Sequence, residues 1–125
     1  MCYNNIKHHH VKKILQGGQN MSDAMKLLDK LRGIDIDDLI ILSLLSENVR
    51  GSEISKVLYL TQPAVTHRLN KCKAIFGEEI FQKLEHRRIL SPIGKEVAEK
   101  AKKALSLFVE VENIFSEFTK TPAQD

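Results

Sequence analysis

The spacing of apolar residues along this chain predicts a succession of short helices. The first is expected to begin at Ser22, a residue type that caps helices, and to end at Gly33. Its apolar face would be formed by Met25, Leu28 and Leu31. Because these residues recur every three positions, they indicate a short amphipathic helix that needs a packing partner.

A strongly apolar helix is predicted from Ile36 onward. Asp37 and Asp38 occupy its first turn, where the helix dipole stabilises negative charge, and the apolar run LIILSLL follows them. A helix that is apolar on most of its surface has to be buried, so we expect it to lie in the core.

A tight pair of helices is predicted next. The first of the pair would be capped by Ser52, and the second would begin at Thr61 after a brief link. The apolar face of the first is expected to comprise Ile54, Val57 and Leu58. Two short helices joined in this way form the skeleton of a helix-turn-helix.

The helix that begins at Thr61 has an apolar and a polar side. Its expected core stripe, spaced 4, 3 and 4 residues apart, consists of Val65, Leu69, Cys72 and Phe76. At about 100° per residue, the opposite side carries Pro63, His67, Asn70 and Lys71. The polar side is therefore expected to face solvent or a partner.

The first turn of this helix is slim enough to enter a major groove. Thr61 can cap it, and Pro63 is tolerated there because first-turn amides have no intrahelical acceptor. Gln62 can bond base edges, and basic residues further along can approach phosphates. The residues expected at DNA are Thr61, Gln62, Pro63, Ala64, Thr66, His67, Arg68, Asn70 and Lys71. A solvated face on a structural helix is the alternative.

A basic hairpin is predicted after Gly77, which ends the helix. Two short runs, residues 80 to 84 and 88 to 91, flank a polar corner at residues 85 to 87. A hairpin beside a helix-turn-helix is a wing, and basic wings commonly reach the DNA backbone or minor groove. Its expected contacts are Lys83, His86, Arg87 and Arg88. A surface hairpin without DNA contact is the alternative.

Charge is distributed unevenly along the chain. The formal net charge is +3, yet residues 61 to 103 carry ten Lys and Arg against five Asp and Glu. Residues 104 to 125 carry one basic against four acidic residues. A basic middle segment suggests a patch that meets phosphates, followed by a segment with another role.

A long helix is predicted from Pro92 to Phe118. Along it runs an apolar seam at alternating spacings of 4 and 3 residues, namely Val97, Ala101, Ala104, Phe108, Val111, Phe115 and Phe118. Each phenylalanine left in water would cost roughly 1.5 to 3 kcal/mol, so we expect the seam to form a homodimer. Packing of the helix against its own domain is the alternative.

Other classes of protein are not indicated by the sequence. The longest apolar run is far shorter than a membrane span of roughly 20 residues, so a cytoplasmic protein without membrane contact is expected. Cys2 and Cys72 do not make a disulfide framework. The adjacent His8, His9 and His10 lack the further ligands of a metal site and are interpreted as an unstructured tract. No metal, cofactor or enzymatic site is expected.

Two motifs resemble those of a known family. The stretches LTQPAVTHRL and FGEEIFQKLEHRRILSPIG are similar to the N-terminal DNA-binding domain of LysR-type transcriptional regulators, over about residues 36 to 118. The resemblance implies a mainly α fold, a winged helix-turn-helix with a short β-hairpin wing and a long C-terminal dimerisation helix. It further implies DNA contacts from Gln62, Pro63, Ala64, Thr66 and His67, and backbone contacts from the wing around His86 and Arg87.

The chain also departs from the family pattern. Family members usually have an aromatic residue and two alanines before the turn, where this chain has Gly51 and Ile54-Ser55, and an arginine where His86 stands. A looser relation, to MarR-like winged helices, is therefore an alternative. LysR-type regulators continue into a ligand-sensing domain that this chain does not reach, so no small-molecule effector is expected.

Three parts of the chain follow from these patterns. Residues 1 to 33 would form an N-terminal arm with a short helix, residues 34 to 91 the DNA-binding domain, and residues 92 to 125 the dimerisation helix and a tail. The expected function is a homodimeric regulator that binds specific sequences in double-stranded DNA. The alternative is a protein-interaction module that forms mixed dimers with another regulator and does not read DNA.

Overall fold

The structure, a computed structural model, describes residues 20 to 120 together with His10 and residues 13 to 15. Cys2, His8 and His9 lie outside the described residues, as does part of the predicted arm. The chain divides into two compact units, Met1–Asp35 and Ile36–Asp125.

The first unit contains the helix α1, Met21–Arg32. The predicted helix and its end at Gly33 are confirmed, but the predicted cap, Ser22, is wrong. The cap is Asn20, whose Oδ1 accepts a hydrogen bond from the N–H of Asp23 at 2.9 Å. An asparagine is as good a cap as a serine, and here it lies one residue before the first turn.

The second unit is a winged helix-turn-helix followed by a long helix. Its elements in chain order are α2 (Ile36–Ser46), α3 (Gly51–Leu58), α4 (Gln62–Phe76), a 3-10 turn (Glu78–Ile80), β1 (Phe81–Leu84), β2 (Arg87–Leu90) and α5 (Pro92–Lys120). The two strands form an antiparallel hairpin in which Phe81 lies opposite Leu90 and Leu84 opposite Arg87. The predicted mainly α fold with a wing is thus confirmed.

Helix α2 lies at the centre of this unit and joins two apolar clusters. Leu42 packs in one cluster with residues of α4, the 3-10 turn, the hairpin and α5. The buried residues of this cluster are Leu42, Cys72, Ile80, Leu90, Ala98 and Ala101. On the adjacent side of α2, Ile41 packs against the helix-turn-helix in a cluster with Ile54, Val65 and Leu69. The position of α2 in the core confirms the prediction from its apolar run.

Three details of the predicted helices are wrong. Helix α3 begins at Gly51 and not after Ser52, so the residue before it, Arg50, is its cap. Val57 is 57% exposed, because the eight-residue α3 buries its Ile54 side and leaves the other side in solvent. Phe76 is 39% exposed, because α4 ends at Gly77 before its last turn can be covered.

An exposed ion pair links the end of α2 to α5. Lys102 Nζ lies 2.5 Å from Glu47 Oε2. This hydrogen bond and the opposite charges hold the pKa of Glu47 below its usual value and raise the pKa of Lys102. Because both groups remain in contact with water, the pair adds little to stability compared with the apolar core.

The start of α5 packs unusually closely against the 3-10 turn. The Ser91 N–H donates to the Ile80 carbonyl at 3.0 Å, and the Ser91 hydroxyl donates to the Glu79 carbonyl while accepting from the Gly94 N–H. A Cβ placed on Gly94 would lie 2.0 Å from the carbonyl oxygen of Ile80. Only glycine therefore allows the helix to approach the backbone of this turn.

We predict that Gly94→Ala destabilises the protein by roughly 1 to 3 kcal/mol, since the added methyl group overlaps backbone that cannot rotate away. Urea denaturation followed by circular dichroism measures the change. Gly51→Ala is the matched control, because a Cβ at Gly51 meets no atom within 4 Å. The control should be neutral or stabilising by up to about 1 kcal/mol. Equal unfolding free energies for the two variants would contradict the close approach.

Candidate nucleic-acid interface

The turn between α3 and α4 fixes how the second helix of the motif begins. Tyr59 adopts a left-handed conformation with φ of 56°, which ends α3, and the N–H of Leu60 donates to the Ser55 carbonyl at 2.9 Å. Thr61 then caps α4, with its hydroxyl oxygen accepting from the Ala64 N–H at 3.2 Å. The predicted cap is confirmed, and its hydroxyl is already engaged within the protein.

The sequence patterns do not predict a special position for Tyr59. Its side chain is 95% exposed at the turn of the motif. A left-handed conformation is uncommon for a bulky residue and costs of the order of 1 kcal/mol, so its persistence here is a mark of a constrained turn. The signal available in the sequence is weak, because nothing in the run KVLYLTQ distinguishes Tyr59 from a loop residue.

The outward side of α4 carries uncharged polar groups near its start. The exposed residues there are Thr61, Gln62, Pro63, Thr66, His67 and Asn70, whereas Ala64 is half-buried. Val65, Leu69 and Cys72 are buried on the opposite side, as their spacing predicts. The side chains of Gln62 and Thr66 are therefore positioned to meet a partner without disturbing the core.

Arg68 and Lys71 do not simply extend from this outward side. Arg68 Nη1 lies 3.3 Å from Asp38 Oδ1, and its Nη2 lies 3.6 Å from Asp37 Oδ2. Lys71 Nζ lies 2.7 Å from Asp38 Oδ2. The outward position that the sequence predicts for Lys71 is wrong, because the side chain is only 29% exposed and turns toward α2. DNA contact by either residue stays a prediction.

The carboxylate of Asp38 is fully buried, and its negative charge is paired with two cations. A buried charge is costly unless it is paired and hydrogen-bonded, and Asp38 has both kinds of partner in addition to its place in the first turn of α2. Arg68 and Lys71 are three residues apart and so lie on the same side of α4. The sequence does not indicate the pairing, since about 30 residues separate the partners.

The wing differs from its prediction in where the strands begin. Ile80 belongs to the 3-10 turn, and Arg87, predicted at the corner, is the first residue of β2. The corner consists of Glu85 and His86 alone, with φ values of 51° and 67°. Two consecutive left-handed residues form the type I′ turn that suits a two-residue hairpin, although glycine or asparagine is usual there.

The two faces of the hairpin carry different groups. Lys83 lies directly opposite Arg88, and both are on the face that also carries Phe81. The guanidinium carbon of Arg88 lies 5.4 Å from the centre of the Phe81 ring. Arg87, one position along β2, points to the other face. The predicted wing residues are thus divided between two faces and the corner.

The predicted seam of α5 divides into two parts. Ala101 is buried and Val97 half-buried against the core of the same chain, because the first half of α5 packs on α2. Their role in a dimer seam stays a prediction. Ala104 is half-buried. Beyond it the seam is uncovered, with exposed fractions of 54% to 72%, at Phe108, Val111, Phe115 and Phe118. Leu107 and Ile114, not predicted, extend this exposed apolar surface to one side.

No helix in the described part of the chain is long and apolar enough to cross a membrane. Among the same residues, no group of three or more histidine, cysteine, aspartate or glutamate side chains is arranged to hold a metal ion.

The chain shares its fold with part of two solved structures, of the LysR-type regulators OxyR and CbnR. A variant of full-length OxyR from Pseudomonas aeruginosa matches with a TM-score of 0.60 and 17% identity, over 66% of this chain and 28% of that one. Full-length CbnR complexed with its target DNA matches with a TM-score of 0.56 and 19% identity, over 64% of this chain and 28% of that one. At such identities the likeness establishes the fold. No protein-family model and no curated protein sequence matches.

We predict that Asp38→Asn lowers the free energy of unfolding by roughly 1.5 to 3 kcal/mol, because it removes the charge that two cations share while keeping the size of the side chain. Thermal and urea denaturation measure the loss. Asp37→Asn is the matched control, since the Asp37 side chain is 40% exposed and its removal should change stability by less than about 1 kcal/mol. Similar small losses in both variants would contradict a structural role for the buried carboxylate.

Proposed function

We propose that this protein is a transcription regulator that binds double-stranded DNA with α4 as the recognition helix. The observation that carries the proposal is the exposed first turn of α4, with Gln62 and Thr66 on a side that the core does not use. The fold supports the proposal, because CbnR, which shares it, was solved in complex with its target DNA. This chain covers 28% of CbnR, so only its own surface supports the details that follow.

In this proposal Gln62 reads a base. Its amide carries both a donor and an acceptor, which suits paired hydrogen bonds to adenine in the major groove. Thr66, one turn further along, contributes a single hydroxyl to a base or a phosphate. Pro63 and Ala64 keep the helix end slim, and the Thr61 hydroxyl holds the end of the helix by capping it.

Phosphate contacts come from the remaining polar and basic groups. His67 and Asn70 are exposed on α4, and the wing adds Lys83, His86, Arg87 and Arg88. The head groups of Arg68 and Lys71 hold α4 on α2, and the carboxylates of Asp37 and Asp38 offset their charge, so any phosphate contact from either would be weaker than one from the wing. Phosphate contacts place the protein on DNA but carry no sequence information, so specificity rests on the first turn of α4.

A homodimer is the second part of the proposal. Four apolar side chains of the predicted α5 seam are more than half exposed in the single chain, namely Phe108, Val111, Phe115 and Phe118. Burying a phenylalanine is worth roughly 1.5 to 3 kcal/mol, so pairing of two such helices is strongly favoured. Two recognition helices related by a two-fold axis would read an inverted repeat, with half-sites about one helical turn apart or a multiple of that.

A second candidate function uses the same surface differently. The α5 surface could pair with another regulator, in which case the chain would act by forming mixed dimers and would not read DNA. Phosphate binding releases counterions, so DNA affinity that falls steeply as salt rises supports the DNA-binding function. Absence of DNA binding at low salt favours the mixed-dimer function.

We predict that the protein sediments as a dimer at micromolar concentration and that Phe108→Asp with Phe115→Asp gives a monomer or an insoluble chain. Charges on the apolar seam cannot be buried without a partner of opposite sign. Val109→Asp is the matched control, because Val109 is 58% exposed but lies on the other side of α5. The control should remain a dimer. A wild-type monomer at high micromolar concentration would overturn the dimer.

We predict that Gln62→Ala weakens binding to the preferred duplex by about 1 to 3 kcal/mol and leaves binding to a scrambled duplex nearly unchanged. Thr66→Ala should cost less, because water can replace one hydroxyl. Titration against both duplexes, together with thermal melts, makes the comparison. Equal loss on both duplexes, or a drop in melting temperature large enough to explain the loss, would remove Gln62 from the base-reading role.

A further inference from the structure

A small hollow lies where the wing meets the end of α4. It has a volume of about 180 Å³ and is lined by Lys73, Glu78, Phe81, Gln82, Lys83 and Arg88. Lys73 is in the last turn of α4, and Lys83 and Arg88 are opposite each other on the hairpin. Three cations thus surround one hollow that contains a single carboxylate, that of Glu78.

Arg88 packs on the hairpin with one nitrogen of its guanidinium lacking a hydrogen-bond acceptor. The group lies over the Phe81 ring, at 5.4 Å from its centre. Its Nη1 is buried and, within the part of the chain that the structure describes, has no hydrogen-bond partner. Because this nitrogen is closed off from solvent, the guanidinium must turn for it to reach an acceptor. Leaving a buried charged donor unpaired is costly, which favours such a turn when an anion enters the hollow.

The neighbouring charges point to an anionic ligand. Lys83 directly faces Arg88 across the strands, and like charges in that position repel each other. The carboxylate of Glu78 lies 3.9 Å from Lys73 Nζ, but it is 84% exposed and so can turn away into solvent. An anion between Arg88 and the two lysines would relieve the repulsion and supply the missing acceptor.

We propose that this hollow binds one phosphate group, with Arg88 as its main ligand and Lys73 and Lys83 as supporting charges. A planar guanidinium donates two parallel hydrogen bonds to phosphate oxygens, and lysines add point charges around them. A water takes about 30 Å³ of liquid, so the hollow has room for a phosphate and a few waters. Lys73 thereby gains a role that neither the sequence nor the helix-turn-helix assigns to it.

The phosphate can come from the DNA backbone or from free inorganic phosphate. In the first case the inference rests on the proposed function and gives the wing a specific docking point on DNA. In the second case the hollow is an anion site independent of DNA. The chemistry of recognition is the same, so the two sources are distinguished by experiment.

The test of the site uses inorganic phosphate and no DNA. Wild-type protein is titrated with phosphate at constant ionic strength in a phosphate-free buffer, and the guanidinium and backbone resonances are followed by NMR. Binding should be saturable, and Arg88→Gln should weaken it roughly tenfold or more, since a charged hydrogen-bond donor is lost. Lys83→Gln should weaken phosphate binding to a smaller extent. Because the Lys83 side chain is exposed, this change should not affect folding.

Two matched variants serve as controls, one expected to strengthen phosphate binding and one expected to leave it unchanged. Glu78→Gln removes the only carboxylate among the lining residues and should strengthen phosphate binding. Arg50→Gln removes the same kind of charge from an exposed residue that does not line the hollow, and it should leave phosphate binding nearly unchanged. Circular dichroism of each variant shows whether the hairpin and helices are kept.

A second arm identifies the source of the phosphate. If the hollow takes a DNA phosphate, inorganic phosphate should lower the DNA affinity of the wild type more than chloride does at equal ionic strength, and Arg88→Gln should abolish that difference. If phosphate binds and DNA affinity does not respond, the source is free phosphate. Phosphate binding without any DNA binding would refute the proposed function and support the site.

Two results would overturn the inference. One is the absence of saturable phosphate binding by the folded wild-type protein at tens of millimolar. The other is an equal loss in Arg50→Gln and Arg88→Gln, which would mean that phosphate responds to the general positive charge of the protein and not to a defined hollow.

Discussion

The buried carboxylate of Asp38 sets the position of α4. It lies in the first turn of the central helix α2 and is paired with Arg68 and Lys71, both on α4. Apolar contacts between helices tolerate small rotations, whereas a buried charge loses much of its stabilisation when its partners move. The ion pairs therefore fix the rotation of α4, and this rotation decides which of its side chains face outward.

That arrangement separates two tasks in the proposed complex with DNA. Because Arg68 and Lys71 are engaged with α2, the exposed start of α4 is largely uncharged, with Gln62 and Thr66 as its polar groups. Such groups discriminate between bases but attract phosphates weakly. The attraction would come chiefly from the wing, where Lys83 and Arg88 lie opposite each other on the paired strands. In the proposed complex, sequence reading and electrostatic attraction would thus belong to different elements of the fold.

Local patterns in the sequence predict most of the fold, and contacts between distant residues account for what they miss. Thr61, Pro63 and Gly77 set the limits of α4 through backbone chemistry that a short window of sequence contains. The pairing of Asp38 with Arg68 cannot be obtained in this way, since nothing near Asp38 marks it as buried. The seam of α5 is a related case, because its spacing predicts an apolar side but not what that side packs against. In the structure Ala101 is buried in the chain's own core, whereas Phe115 is exposed. The unpaired Nη1 of Arg88 likewise cannot be predicted from the sequence, because its burial depends on the pairing of the two strands.

The most direct test of the account is selection of bound sequences from a random pool of DNA duplexes with the purified protein. A dimer that reads DNA through the first turn of α4 predicts enrichment of an inverted repeat whose half-sites are about one helical turn apart or a multiple of that. Retention of sequences with no shared motif, or no retention of DNA at low salt, would contradict the claim that this surface reads DNA.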